Sequence, residues 1–258
     1  MDLPRNALKH ALAEGLQQIG IWNSIRDNAV VEMLAGCGFD WMLIDCEHTP
    51  RGEAEVMAML QALQGYDIAA MVRPSRLDAS EIKRILDVGA LNILVPYVET
   101  VEQAELAVAS VTYAPKGIRG VGGSTRASRY GAIPNYTQRA REEIGLFLQV
   151  ETRATLDRIE VIAAVPGVDG MFVGPADLAA SLGHPGNMNH PEVHEAIIDA
   201  IRRIRAAGLA AGFLSADQGL LEKVVEAGSN FTAVDVDLPL LRRSALERLD
   251  ACKHWKTG

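Results

Sequence analysis

Acids, one arginine and one histidine collect at the ends of short apolar runs in this sequence. Leu43-Ile44 runs straight into Asp45-Cys46-Glu47-His48. Histidine moves protons near neutral pH, and a neighbouring carboxylate fixes its tautomer. The alternative is that Asp45 and His48 only cap the helix that follows. Ala70-Met71-Val72 ends in Arg73-Pro74. A guanidinium there suits a carboxylate or an enolate oxygen, or else a salt bridge to a neighbouring strand-end acid. Phe147-Leu148-Gln149-Val150 ends in Glu151, and Met171-Phe172-Val173 leads through Gly174-Pro175-Ala176 to Asp177. Two carboxylates with no Cys or His beside them form a hard, oxygen-only set with open positions. Mg²⁺ or Mn²⁺ suits that set better than a structural zinc. The alternative is a helix-capping Asp and an unrelated Glu. The turn at Gly174 opens a short helix whose first N–H groups suit a substrate carboxylate; otherwise Asp177 is an ordinary N-cap.

Several chemistries are disfavoured. The lysines are Lys9, Lys83, Lys116, Lys223, Lys253 and Lys256, and none ends an apolar run, which argues against a Schiff base. Asp217, Asp235 and Asp237 stand near the position where a barrel would bind phosphate, which argues against a phosphorylated substrate. His190-Pro191-Glu192-Val193-His194 is not HExxH. Pro191 at the first helical position makes His190 an N-cap candidate instead of a metal ligand. Cys46 has no second histidine partner and reads as a small buried filler, not a nucleophile.

Elements that could position these residues alternate along the chain. Strands are expected at Gln18–Trp22, Trp41–Asp45, Ala69–Arg73, Asn92–Pro96, Leu146–Glu151, Gly170–Val173, Ala210–Leu214 and Phe231–Asp235. Helix-period segments lie between them, among them Asn28–Gly36, Glu192–Ala207 and Asp217–Ala227. Strict alternation means a parallel sheet. Eight units in 258 residues favour a single α/β domain over residues 1–258, a (β/α)8 TIM barrel, which typically has about 250 residues. No GxGxxG follows the first strand, which removes the main sign of a dinucleotide fold. In such a barrel the strand-end residues share one face. Two intervals are long. One carries the Gly- and Arg-rich stretch 117–129, the other Gly183-His184-Pro185-Gly186-Asn187. These read as functional insertions or as packing or oligomer loops. Leu238–Lys256 reads as a closing helix whose leucines need a partner surface.

Composition bounds the function classes. Hydrophobic residues are 48% and charged residues 22%, ordinary for a globular chain. The net charge of −8 argues against a nucleic-acid or anionic-membrane partner. The apolar stretch from Ala90 to Val98, broken by Asn92, falls short of the roughly 20 residues of a membrane span. The start Met1-Asp2-Leu3-Pro4-Arg5-Asn6 shows no secretory h-region. Cys37, Cys46 and Cys252 are odd in number and lack CxxC spacing, as expected of a cytoplasmic protein.

Taken together, Phe39 to His48, Val72-Arg73-Pro74, Leu86-Asp87-Val88-Gly89-Ala90, Gly117 to Gly122, Gln149-Val150-Glu151-Thr152 and Val168 to Leu178 resemble the HpcH/HpaI family. Those are divalent-metal-dependent (class II) pyruvate aldolases. The resemblance covers nearly the whole chain in order. It departs at Cys46, where a smaller residue is usual, and in a slightly shorter Gly/Arg-rich loop. It implies a (β/α)8 barrel assembled as a homo-hexamer, a trimer of dimers, with the C-terminal helix exchanged between partners. Glu151 and Asp177 would bind the metal: Mg²⁺ or Mn²⁺, with Co²⁺ a further candidate. Arg73 would contact the keto or enolate oxygen of pyruvate. His48, paired with Asp45, would handle the proton. The backbone of Gly174, Pro175, Ala176 and Asp177 would receive the carboxylate. Asp87 would reach a neighbouring subunit's site, and Trp22, Gln149 and Leu214 would line the pocket. The implied reaction is reversible cleavage of 4-hydroxy-2-oxo acids to pyruvate and an aldehyde. The rivals are a CoA-thioester lyase of the same superfamily and a pyruvate-binding barrel without turnover.

Overall fold

The computed structural model describes residues 1–255. Eight parallel strands close into a barrel in chain order, with the last pairing the first. They are β1 (Gln18–Asn23), β2 (Trp41–Asp45), β3 (Ala69–Arg73), β4 (Asn92–Val95), β5 (Gly145–Val150), β6 (Gly170–Val173), β7 (Ala210–Leu214) and β8 (Phe231–Val236). The expected (β/α)8 architecture is what forms. Strand ends differ from expectation by a residue or so. β4 stops before Pro96, which has no N–H for the ladder. β5 stops before Glu151, which leaves that acid at the mouth and out of the sheet.

Several helices start where polar side chains take up orphan N–H groups. Asp27 caps Asn28–Ala35, Thr100 and Gln103 form a capping box on Val101–Val111, and Asp217 caps Gln218–Glu226. His190 caps Pro191–Ala206 through Nδ1, which accepts from the Glu192 N–H at 3.2 Å. The closing helix runs Asp237–Cys252 and continues as a 3₁₀ turn through Trp255. Lys256 of the expected span lies outside the described residues. No helix among the described residues is long and apolar enough to cross a membrane.

Two apolar layers hold the barrel. The outer layer joins strand residues such as Ile44, Val72 and Ile93 to helix residues such as Val56, Ile82 and Ile197. The inner layer fills the barrel with Trp41, Phe147, Phe172 and Phe231, whose ring centroids are 5.1–6.4 Å apart where they pack. These rings fit because their neighbours are small. A Cβ on Gly20 would lie 2.2 Å from the Trp41 ring, and one on Gly212 would lie 2.4 Å from Phe231. Large against small is how a narrow barrel reaches interior density.

The Gly- and Arg-rich stretch packs away from the strand-end acids. Arg119 is buried, lies 4.4 Å over the Tyr113 ring and pairs with Asp87 at 2.9 Å. Arg126 donates to the Val88 carbonyl at 2.7 Å. Within one chain, this segment braces the end of the helix Ala79–Asp87 against the start of β4. Gly20→Ala is expected to destabilise the protein by about 1–3 kcal/mol, the usual cost of overpacking a core. Urea denaturation checks it, and an unchanged midpoint would contradict this account of the barrel interior.

Candidate active site

Sheet register assembles the site before any loop is considered. Asp45 stands opposite Arg73 across β2–β3. The guanidinium makes a two-point contact, with Nε 2.9 Å from Oδ1 and Nη2 2.8 Å from Oδ2. Its Nη1 reaches Glu47 Oε2 at 2.7 Å and Gln149 Oε1 at 3.3 Å. Trp22 lies beneath, its ring centroid 4.8 Å from the guanidinium carbon, and its indole N–H donates to Asp45 Oδ2 at 3.4 Å. Burial acts to raise the Asp45 pKa. The hydrogen bonds and charge of Arg73 outweigh it, and the net shift is downward.

This geometry corrects one expectation. The Asp45 carboxylate does not pair with the His48 ring. Asp45 is a buried strand residue whose oxygens are taken by Arg73, and it meets His48 only at the main-chain N–H, 3.4 Å away. The His48 side chain is 62% exposed, and its nearest carboxylate is Glu47, 3.9 Å from Nε2. A buried carboxylate gains more from a two-point guanidinium than from an exposed imidazole.

The second half of the site comes from β5 and β6. Val150 and Val173 are in register, so Glu151 emerges beside Gly174. A Cβ on Gly174 would lie 2.9 Å from Glu151 Oε2 and 3.1 Å from Gln149 Nε2; glycine lets the two strand ends meet. Gln149 Nε2 donates to Glu151 Oε2 at 2.7 Å, and the Tyr97 N–H donates to Oε1 at 2.6 Å. Asp177 sits in the first turn of the helix Pro175–Ser181. The expected carboxylate cradle is narrower than Gly174 to Asp177. The Gly174 N–H already donates to Val150 O at 2.9 Å, and Pro175 has none. The Ala176 and Asp177 N–H groups remain as orphan donors of a helix start.

Charge at this mouth is out of balance. Burial pushes the Glu151 carboxyl up to about 7. The Tyr97 N–H opposes this, and the negative charges of Glu47 and Asp177 add to it. Burial also raises Glu47, with Arg73 and His48 opposing. Glu47 Oε2 is buried in contact with the Arg73 charge yet has no aligned hydrogen-bond donor. Three acids therefore share what is left of one guanidinium after Asp45 has used it. The oxygen set and the missing positive charge fit a divalent cation, which inverts such a local imbalance.

The remaining expected residues fall in three places. Leu214 ends β7 and packs against the inner layer. Asp87 is not at this mouth in its own chain; it ends a helix and pairs with Arg119. Cys46 is buried in the outer apolar layer, and burial pushes its thiol up to about 12, in keeping with a packing role. Two residues gain importance that sequence reasoning did not assign. Glu47 was visible within the Asp45–His48 run. Tyr97 had no signal beyond following the apolar end of β4. Ligating atoms of His184, His190 and Glu192 lie within 4.8 Å of one another. The two rings are stacked at 3.5 Å, however, and His190 Nδ1 serves the helix cap, so their lone pairs do not converge on one ion. A cavity of about 540 Å³ opens at the opposite end of the barrel, among Asn6, Gln18, Asp40 and Asn92. That face contributes stability in such barrels, not chemistry.

Burial gives a test of the Glu151 environment. From its ordinary 4.5 up to about 7, the folded protein keeps a proton that the unfolded chain has released. Stability therefore falls as pH rises through that window, and the cost is complete above it. Glu151→Gln removes the ionisation. Metal-free protein carrying it should gain stability at pH 8, on the order of 3 kcal/mol, and nothing at pH 4. Denaturant melts in EDTA at both pH values check this, and an equal effect at both would refute it.

Comparison with known proteins agrees with this geometry. The family model HpcH/HpaI aldolase/citrate lyase matches residues 18–244. A hydroxypyruvate/pyruvate aldolase of Sagittula stellata is 52% identical over 96% of this chain and 98% of its own. A 4-hydroxy-2-oxo-heptane-1,7-dioate aldolase of Klebsiella pneumoniae is 48% identical over 93% and 91%. The crystal structure of a family protein from Burkholderia cenocepacia superposes with a TM-score of 0.92 at 35% identity, covering 96% of this chain and 99% of that one. The chain belongs to the HpcH/HpaI aldolase/citrate lyase family.

Proposed function

We propose that this protein is a class II pyruvate aldolase, a carbon–carbon lyase that reversibly cleaves 4-hydroxy-2-oxo acids to pyruvate and an aldehyde. The observation that carries the reading is the convergence of Arg73, Glu47, Glu151 and Asp177 at the ends of β2, β3, β5 and β6, with more acid than base. Glu151 and Asp177 would hold the metal, Mg²⁺ or Mn²⁺ by the hardness of the oxygen set. When bound, the metal supplies Lewis-acid stabilisation of negative charge on the keto oxygen.

The chain's own residues do the rest. Arg73 is locked by Asp45 and Trp22. It offers a fixed positive charge where the enolate oxygen develops, typically the largest catalytic effect. The Ala176 and Asp177 N–H groups receive the substrate carboxylate. His48, exposed at the mouth, takes the 4-hydroxyl proton as the C3–C4 bond breaks. The electron pair passes to the enolate, and protonation at C3 completes pyruvate. In the synthetic direction His48 returns the proton to the aldehyde oxygen. Trp22, Gln149 and Leu214 close the pocket around the pyruvate half.

The catalytic unit in this reading is one barrel spanning residues 1–258, working as a homo-hexamer. Leu238, Leu241, Leu246 and Leu249 are each at least 44% exposed on the closing helix, which supports a partner chain covering them. Cys37, Cys46 and Cys252 are free thiols, which supports a reducing compartment such as the cytoplasm.

The test is pyruvate release from a panel of 4-hydroxy-2-oxo acids with Mg²⁺ or Mn²⁺, after EDTA, and after metal is restored. Release should depend on metal and vanish in Glu151→Gln and Asp177→Asn. His48→Ala should slow it by roughly 10²–10⁴-fold, the usual worth of a general acid–base group. Pyruvate binding without release from any substrate would overturn the reading in favour of a thioester lyase or a silent barrel.

A further inference from the structure

Asp45 has no acceptor capacity left for the His48 ring. Its Oδ1 accepts from Arg73 Nε at 2.9 Å and from the main-chain N–H groups of Glu47 at 3.0 Å and His48 at 3.4 Å. Its Oδ2 accepts from Arg73 Nη2 at 2.8 Å and from the Trp22 indole at 3.4 Å. A carboxylate offers about four lone-pair sites, and these donors fill them. Glu47 is the reverse case. Its side chain is 9% exposed, and its Oε2 is buried with no aligned hydrogen-bond donor. A buried acceptor left unmet costs free energy, so this oxygen has capacity to take a donor. Arg73 Nη1 anchors it at 2.7 Å, and His48 Nε2 lies 3.9 Å from the same atom.

We propose that Glu47 is the positioning residue for His48: its Oε2, anchored by Arg73, takes the ring's Nε2–H and leaves Nδ1 as the nitrogen that receives the 4-hydroxyl proton. The proposal rests on the reading of His48 as the general base. The hydrogen bond made by one ring nitrogen sets the tautomer, and so decides which nitrogen is basic. The His48 side chain is 62% exposed and has room to turn. Contacts of this kind are often long without substrate and tighten in the Michaelis complex. When Nδ1 takes the proton, the ring becomes an imidazolium, and the negative charge of Glu47 stabilises it in place. The proton stays on the ring, Glu47 stays ionised, and the C3–C4 electron pair passes to the enolate. Arg73 then serves the enolate oxygen directly and the base through Glu47.

The experiment is a double-mutant cycle on pyruvate release at saturating Mn²⁺, comparing the parent with E47A, E47Q, H48A and the double variants E47A/H48A and E47Q/H48A. E47A should lower kcat about 10²-fold, the cost of misplacing a reacting group by about 1 Å, and leave KM unchanged. E47Q is isosteric, keeps an acceptor without its charge, and should lose less than E47A. In the H48A background either substitution should cost less than about twofold, as expected of residues that act as one unit. If Glu47 only braces Arg73 or the fold, KM rises and the cost persists in full without His48. The Glu47 proposal is then wrong and the reading of His48 stands. The same holds if E47A keeps the parent kcat. If H48A cleaves as fast as the parent, the base reading falls and this proposal with it. If the parent releases no pyruvate from any 4-hydroxy-2-oxo acid, the aldolase reading itself falls.

Discussion

Everything at the mouth of this barrel depends on the buried pair between Asp45 and Arg73. Register across β2–β3 puts them opposite each other, and Asp45 takes the Nε–Nη2 edge of the guanidinium. A buried ion pair contributes little net stability, because desolvation offsets the attraction. Its value lies in direction. Arg73 has no freedom to swing, so its remaining donor edge points at Glu47 and Gln149. Gln149 in turn reaches Glu151. A chain of contacts therefore runs from β2 through β3 to β5, and each member orients the next.

The same arrangement leaves the site short of positive charge. Asp45 consumes much of the Arg73 charge, and Glu47, Glu151 and Asp177 are left in mutual repulsion. A stability-optimised protein would not keep such a cluster. It costs the metal-free protein free energy, and a divalent cation or a developing charge at that place can repay it. Close packing makes the cluster possible. Gly174 brings the ends of β5 and β6 within contact of one another, and Gly20 and Gly212 let four large rings fill the barrel beneath. A rigid floor under Trp22 and Phe172 keeps the polar layer in place.

The two ends of the barrel divide the work. Strand starts at the N-terminal end are tied by Asn6, Asn92 and the Glu143 carboxylate and carbonyl. The Arg119–Asp87 pair braces the adjoining loop. At the C-terminal end, Asp237 accepts from Asn23 and from the Ser24 and Ile25 N–H groups, so the closing helix also pins the loop after β1. The rest of that helix offers its leucines outward.

Much of this was legible in the sequence. Alternating apolar runs and capped helices specified eight βα units, because each strand carries an almost uninterrupted buried run and several helices carry their own start signal. Asp45, Arg73, Glu151 and Asp177 were legible because a barrel carries its chemistry at strand ends. Which acid meets which base was not. His48 is three residues from Asp45, so sequence proximity suggested that they pair. Arg73 is 28 residues away but directly opposite in the sheet. Tyr97 was invisible for the same reason: a left-handed backbone turns its N–H to Glu151, 54 residues away in sequence. Local spacing determined which residues reach the mouth. Register across the closed sheet, which no local pattern encodes, decided how they are paired and aimed.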